Sequence, residues 1–311
     1  MPARGIPVWA LYVITVAIWG TSWYGIKEQL GVVAPTVSIA YRFFLAAAIL
    51  WTFCISTRRP LRFQARHHGW MALQGLCLFC GNYILFYFAG MHLVSGLLAV
   101  CFSTMSLMNV VNVWVFFRKP LDRNAGLAAL VGLAGIALVF YPKLMEQNAR
   151  GDAMLGLGLS MLATFLASLG NMVSVKLKAL EIPVVQSNTI GMTYGAAFCA
   201  LFSILMGASF DYDFRPGFTV SLIGLALFAS VFGFGAYLTL VQKIGAGRAG
   251  YTSVIFPLIA LLLSTMLEGY RWTPLAGLGL VLVLSGNLIL LLKRKPAAPI
   301  ATPQFQKGPT G

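Results

Sequence analysis

Residues 93–117 (LVSGLLAVCFSTMSLMNVVNVWVFF), 118–123 (RKPLDR) and 124–142 (NAGLAALVGLAGIALVFYP) make two apolar runs around a short charged hinge. The pattern returns as 249–267 (AGYTSVIFPLIALLLSTML), 268–271 (EGYR) and 272–292 (WTPLAGLGLVLVLSGNLILLL). None of the four runs carries a charge, and each is long enough as a helix to cross about 30 Å of hydrocarbon. Small residues mark both copies at one offset: Ala125-Gly126 with Ala276-Gly277, and Gly135 with Gly286, 151 residues apart in a chain of 311. A hairpin that returns after half the chain predicts a duplicated membrane protein.

Composition agrees. Hydrophobic residues make up 59% and charged residues 10%, against about a quarter charged in a soluble domain. The net charge of +14 does not predict nucleic-acid binding, because the basic residues sit in short loops between apolar runs. The cysteines Cys54, Cys77, Cys80, Cys101 and Cys199 all lie inside apolar runs, so even the Cys77-Leu-Phe-Cys80 spacing reads as packing rather than redox or metal chemistry.

Ten spans are expected, at about 6–26, 34–56, 69–91, 93–117, 124–142, 153–175, 184–207, 217–242, 249–267 and 272–292. They lack the alternation of barrel strands and must satisfy their backbone internally, so the fold class is an all-α integral membrane protein. Of the 22 lysines and arginines, sixteen fall on one set of alternate loops, five on the other, and Arg42 within a span. The positive-inside rule then places both termini in the cytoplasm. Five spans per half is an odd number, so two similar halves enter the membrane from opposite faces as an inverted repeat. The expected units are a first five-helix repeat (1–148), an inverted second repeat (149–292) and a disordered cytoplasmic tail (293–311), rich in proline and polar residues.

No catalytic constellation, metal-ligand cluster or nucleotide-binding loop is present in the sequence, so neither an enzyme nor a cofactor is expected. His67 and His68 sit in a basic loop, and His92 has no acidic residue near it in sequence. Arg42 is read as snorkelling outward or clamping a neighbouring helix ahead of binding substrate, and Glu268 as capping or pairing with Arg271 ahead of relaying protons.

Neutral polar and aromatic residues inside the spans remain. Trp19, Trp23, Asn82, Tyr83, Ser103, Asn109, Thr164, Ser168, Asn171, Tyr237 and Tyr251 are the candidate substrate-binding residues. Thr164, Ser168 and Asn171 share a helical face, as do Tyr83 and Tyr87. One reading is hydrogen-bond glue between helices; the other is a central cavity suited to an amphipathic or aromatic solute. Pro257, mid-span, is expected to kink the ninth helix beside a straighter fourth and to mark a gate. Gly191-x-x-x-Gly195 is a close-packing motif, within the monomer or at a dimer seam.

Several stretches resemble the drug/metabolite transporter superfamily in its ten-helix, duplicated branch. They are Trp19-Gly20-Thr21-Ser22-Trp23-Tyr24-Gly25-Ile26-Lys27, then Arg42-Phe43-Phe44-Leu45-Ala46, and Glu268 followed by the stretch from Gly277 to Gly286. The first half departs from the pattern, with Phe117 where a paired glutamate is sought. The resemblance implies export of amino acids or other small metabolites across a bacterial inner membrane, and the aromatic cavity is similar to that of aromatic amino-acid exporters. The expected partners are such a small solute and the lipid bilayer, with no nucleic acid, as a monomer or dimer. A broad-specificity drug or metabolite exporter is the nearest alternative, followed by a membrane-embedded enzyme and a passive pore.

Overall fold

The structure, a computed structural model, describes residues 6–118, 123–145, 150–250 and 252–292. The tail 293–311 and most of the 118–123 hinge lie outside the described residues. The long helices are α1 (Val8–Glu28), α2 (Pro35–Ser56), α3 (Ala65–Gly90), α4 (Ser95–Phe117) and α5 (Arg123–Met145). They continue as α6 (Arg150–Ala179), α7 (Val184–Leu205), α8 (Pro216–Ile244), α9 (Thr252–Leu267) and α10 (Pro274–Leu292), with a single turn, Ala246–Ala249, before α9. There is no strand among the described residues.

Seven of these helices, α2 to α8, are long and apolar enough to cross a membrane; the apolar cores of α9 (Ile255–Leu267) and α10 (Pro274–Ile289) are shorter. Prolines open several of them: Pro35, Pro216 and Pro274 occupy first helical positions, where no backbone N–H is needed.

Helices α2 and α7 end alike. Arg58 and Gly207 both adopt left-handed backbone (φ 52° and 65°). The N–H groups of Arg59 and Ala208 reach back to the carbonyls of Cys54 and Ser203 at 2.8 and 2.9 Å. The two helices also pair antiparallel, since Ser203 bonds Thr36 at 2.7 Å while Cys54 meets Thr189 at 3.5 Å. Helices α5 and α10 do the same through glycine. A Cβ on Gly135 would stand 2.6 Å from the Gly279 carbonyl, and one on Gly279 would stand 2.6 Å from that of Gly135. Helices α4 and α9 form a third antiparallel pair, with Gly96 against Ser264 at one end and Gly250 against Ser106 at the other.

The Gly191–Gly195 motif packs within the chain, against Gly75 and Phe79 of α3, rather than at a dimer seam. That stretch of α3, Gly75–Gly81, is π-helical, and so is Leu225–Gly233 in α8. Both α3 and α8 therefore widen just before residues that reach the centre.

The expectation of a straighter α4 is corrected. Helix α9 runs unbroken through Pro257, whereas α4 is interrupted at Thr104. The cause is local competition for carbonyls. Ser103 and Thr104 donate their hydroxyls to Val100 and Cys101 at 2.6 and 2.7 Å, and the Thr104 N–H turns to Cys101.

Candidate functional site

The centre of the bundle is aromatic. Trp19 of α1 lies 4.8 Å from the ring of Tyr237 and 5.1 Å from that of Phe234, centroid to centroid, both on α8. It donates its indole N–H to the Ala229 carbonyl at 3.3 Å, inside the π-helical stretch. One turn on, Trp23 packs edge-on to Phe86 (5.1 Å) and Phe102 (5.5 Å) and stacks on Phe256 (6.2 Å). Close approach of Gly233 to Trp19 and of Gly20 to Ile259 lets α1 sit this deep between α8 and α9.

Between these rings is a small central cavity. Helices from both halves line it. Of the expected site residues, Trp19, Trp23, Asn82, Tyr83, Asn171 and Tyr237 form its wall. Ser103, Asn109, Thr164 and Ser168 lie elsewhere, and Tyr251 falls outside the described residues. Sequence reading missed Ser22, Phe86, Phe102 and Phe234. Ser22 and Phe234 had a usable signal, three residues from Trp19 and from Tyr237, whereas Phe102 resembles any apolar helix residue.

Behind the wall the polar residues bind helix to helix. Ser168 donates to the Asn109 amide oxygen at 2.8 Å and accepts from the Asn112 amide at 2.8 Å. The Asn171 amide N–H₂ reaches the same Asn109 oxygen (3.1 Å) and the Tyr237 hydroxyl (2.9 Å). Thr164 returns its hydroxyl to the Ser160 carbonyl at 2.7 Å. Two wall residues keep a buried amide oxygen without a partner, Asn82 and Asn171.

Arg42 does not snorkel. Only 1% exposed, it donates from Nε to the Ser230 hydroxyl at 3.0 Å and from Nη2 to the Tyr83 hydroxyl at 3.3 Å. Its guanidinium lies 4.5 Å over the Tyr83 ring. The Arg42 Nη1 has no hydrogen-bond partner, and neither ion pair among the described residues involves Arg42.

One end of the bundle is closed by Glu268. Its carboxylate accepts from the Ser95 N–H at 2.9 Å, from the Ser95 hydroxyl and from the Ser264 hydroxyl at 2.9 Å. Ser264 in turn accepts from the Gly96 N–H at 2.7 Å. Glu268 thus caps α4 across an interface rather than pairing with Arg271, where a carboxylate suits the positive end of the helix. His92, without an acid nearby in sequence, meets Asp152 at 2.9 Å.

Comparison with known proteins follows the same outline. Protein PagO of Salmonella typhimurium is 24% identical over 301 residues, covering 94% of this chain and 95% of its own. The uncharacterized inner membrane transporter YedA of Escherichia coli is 26% identical over 313 positions, covering 96% and 94%. One protein crystal structure shares the fold with a TM-score of 0.67 at 16% identity, over 92% of this chain and 97% of its own. The sequence pattern of the EamA-like transporter family matches twice, over 7–141 and 154–292. The protein is a membrane transporter that belongs to the EamA-like transporter family, within the drug/metabolite transporter superfamily.

Proposed function

We propose that the protein is a secondary transporter that exports amino acids, aromatic and other neutral ones, or related small metabolites across a bacterial inner membrane. The observation that carries this is the central cavity, walled by tryptophan, tyrosine and asparagine from both halves of the chain. Aromatic faces stack a ring or cover an apolar side chain, and amide and hydroxyl groups orient the polar end. Ten spans form two inverted five-helix halves, 1–148 and 149–292, with both termini in the cytoplasm. The antiparallel pairing of α2 with α7 and of α5 with α10 supports inversion, because each pair joins helices at equivalent places in the two halves.

Alternating access follows from that arrangement. The Glu268–Ser95 contact holds the outer end shut, and the interruption at Thr104 with Pro257 opposite is where α4 and α9 bend to open it. Purified protein in liposomes should move radiolabelled tryptophan, phenylalanine, tyrosine, methionine or threonine; movement of none of them refutes the substrate class. Repeating the assay with and without a pH gradient separates proton coupling from facilitated diffusion. Replacing Pro257→Ala should slow exchange severalfold, and an unchanged rate removes Pro257 from the gate.

A further inference from the structure

We propose that Tyr83, backed by Arg42, is the subsite that reads a carboxylate on the transported solute, with the oxygens of Asn82 and Asn171 reading the neighbouring ammonium. This rests on the transport reading above and specifies its substrate as a zwitterion rather than a merely aromatic solute.

Arg42 carries a charge that no acidic group among the described residues balances. Arg42 is buried, its neighbours are neutral, and Nη1 lacks an acceptor. A guanidinium held so deep without a counter-ion is costly unless an anion completes it during the working cycle. The Tyr83 hydroxyl joins it to the cavity. It accepts from Arg42 Nη2, and Tyr83 is part of the cavity wall. An oxygen that accepts from a cation has its own proton polarised and free to donate. A carboxylate in the cavity is the acceptor that such a donor binds most strongly.

The opposite charge has its own places. The unpartnered Asn82 oxygen belongs to the residue beside Tyr83 in sequence, and the unpartnered Asn171 oxygen belongs to a wall residue contributed by α6. Both are acceptors only, suited to an ammonium. The rings of Trp19, Trp23 and Phe86 remain for the side chain.

The test is equilibrium binding of radiolabelled L-phenylalanine to the purified protein, competed by unlabelled phenylalanine, 3-phenylpropionate and L-phenylalaninamide. The amide should compete about tenfold or more weakly than phenylalanine, the factor expected of one charge-assisted hydrogen bond, and phenylpropionate should still compete. Tyr83→Phe and Arg42→Gln should each bring the amide and phenylalanine to within about threefold of one another, and Arg42→Lys should keep part of the difference. Should Arg42→Gln not accumulate in the membrane, Tyr83→Phe, which removes one oxygen from a wall residue, decides alone. Equal competition by the amide in the native protein, an unchanged ratio in Tyr83→Phe, or no binding of phenylalanine overturns the subsite. Liposome transport of amino acids without a carboxylate preference would leave the transport reading standing.

Discussion

At the residue scale, Arg42 is the decisive side chain. Ser230 receives its Nε hydrogen bond, and Ser230→Ala leaves a buried, charged donor unpaired. The expected cost is about 1–3 kcal/mol, read as a lower thermal midpoint of the detergent-solubilised protein, with Ser230→Thr keeping the acceptor and most of the stability. An unchanged midpoint in Ser230→Ala would show that the guanidinium is not held there. Asn82, Tyr83 and Asn171 were legible in the sequence because polar groups at hydrocarbon depth are costly and draw attention. The partners of Arg42 were not, since Ser230 lies 188 residues away and no local pattern joins them. Phe86 and Phe102 escaped for a different reason, as phenylalanine on a membrane helix is equally at home against lipid or a cavity.

At the element scale, α5 and α10 meet backbone to backbone. Gly135→Ala forces a methyl to within 2.6 Å of backbone on α10, which no side-chain rotation relieves, whereas a methyl on Gly132 meets open space. Gly135→Ala is expected to cost about 1–3 kcal/mol or more, while Gly132→Ala is neutral or slightly stabilising through its helix propensity. Equal stability of the two variants would contradict the seam. In the loop before α8, Asp213 accepts from the Arg215 N–H and side chain, and the hydrogen bond from that side chain holds its carboxyl below the usual carboxylate range. The folded value is lowered, so the contribution is complete at neutral pH and disappears as acid protonates the carboxylate. Asp213→Asn should therefore lower the thermal midpoint at neutral pH, and the gap from the native protein should close on acidification. Helix positions were readable from apolar runs and prolines. The π-helical stretches were not, because widening by one residue per turn has no composition of its own. The interruption of α4 was hidden in Ser103-Thr104, which reads equally as ordinary helix polarity.

At the scale of the whole molecule, duplication was plain in the sequence, since a hairpin and its glycines recur at one offset. How the halves meet was not, because antiparallel partners such as Thr36 and Ser203 share no periodicity. If the halves are inverted, single cysteines placed at Arg62 and Arg271 should react with an impermeant reagent from opposite sides of the membrane. Reaction from the same side would refute the topology. If the two ends open in turn, tying one end shut must stop transport. The hydroxyls of Ser95 and Ser264 are 3.0 Å apart, close enough for the pair Ser95→Cys and Ser264→Cys to form a disulfide across α4 and α9. The five native cysteines are all free and buried, which favours the engineered pair as the site of oxidation. Oxidising this variant in liposomes should arrest phenylalanine exchange, and a reductant should restore it. Exchange that continues undiminished through the cross-linked protein would contradict alternating access.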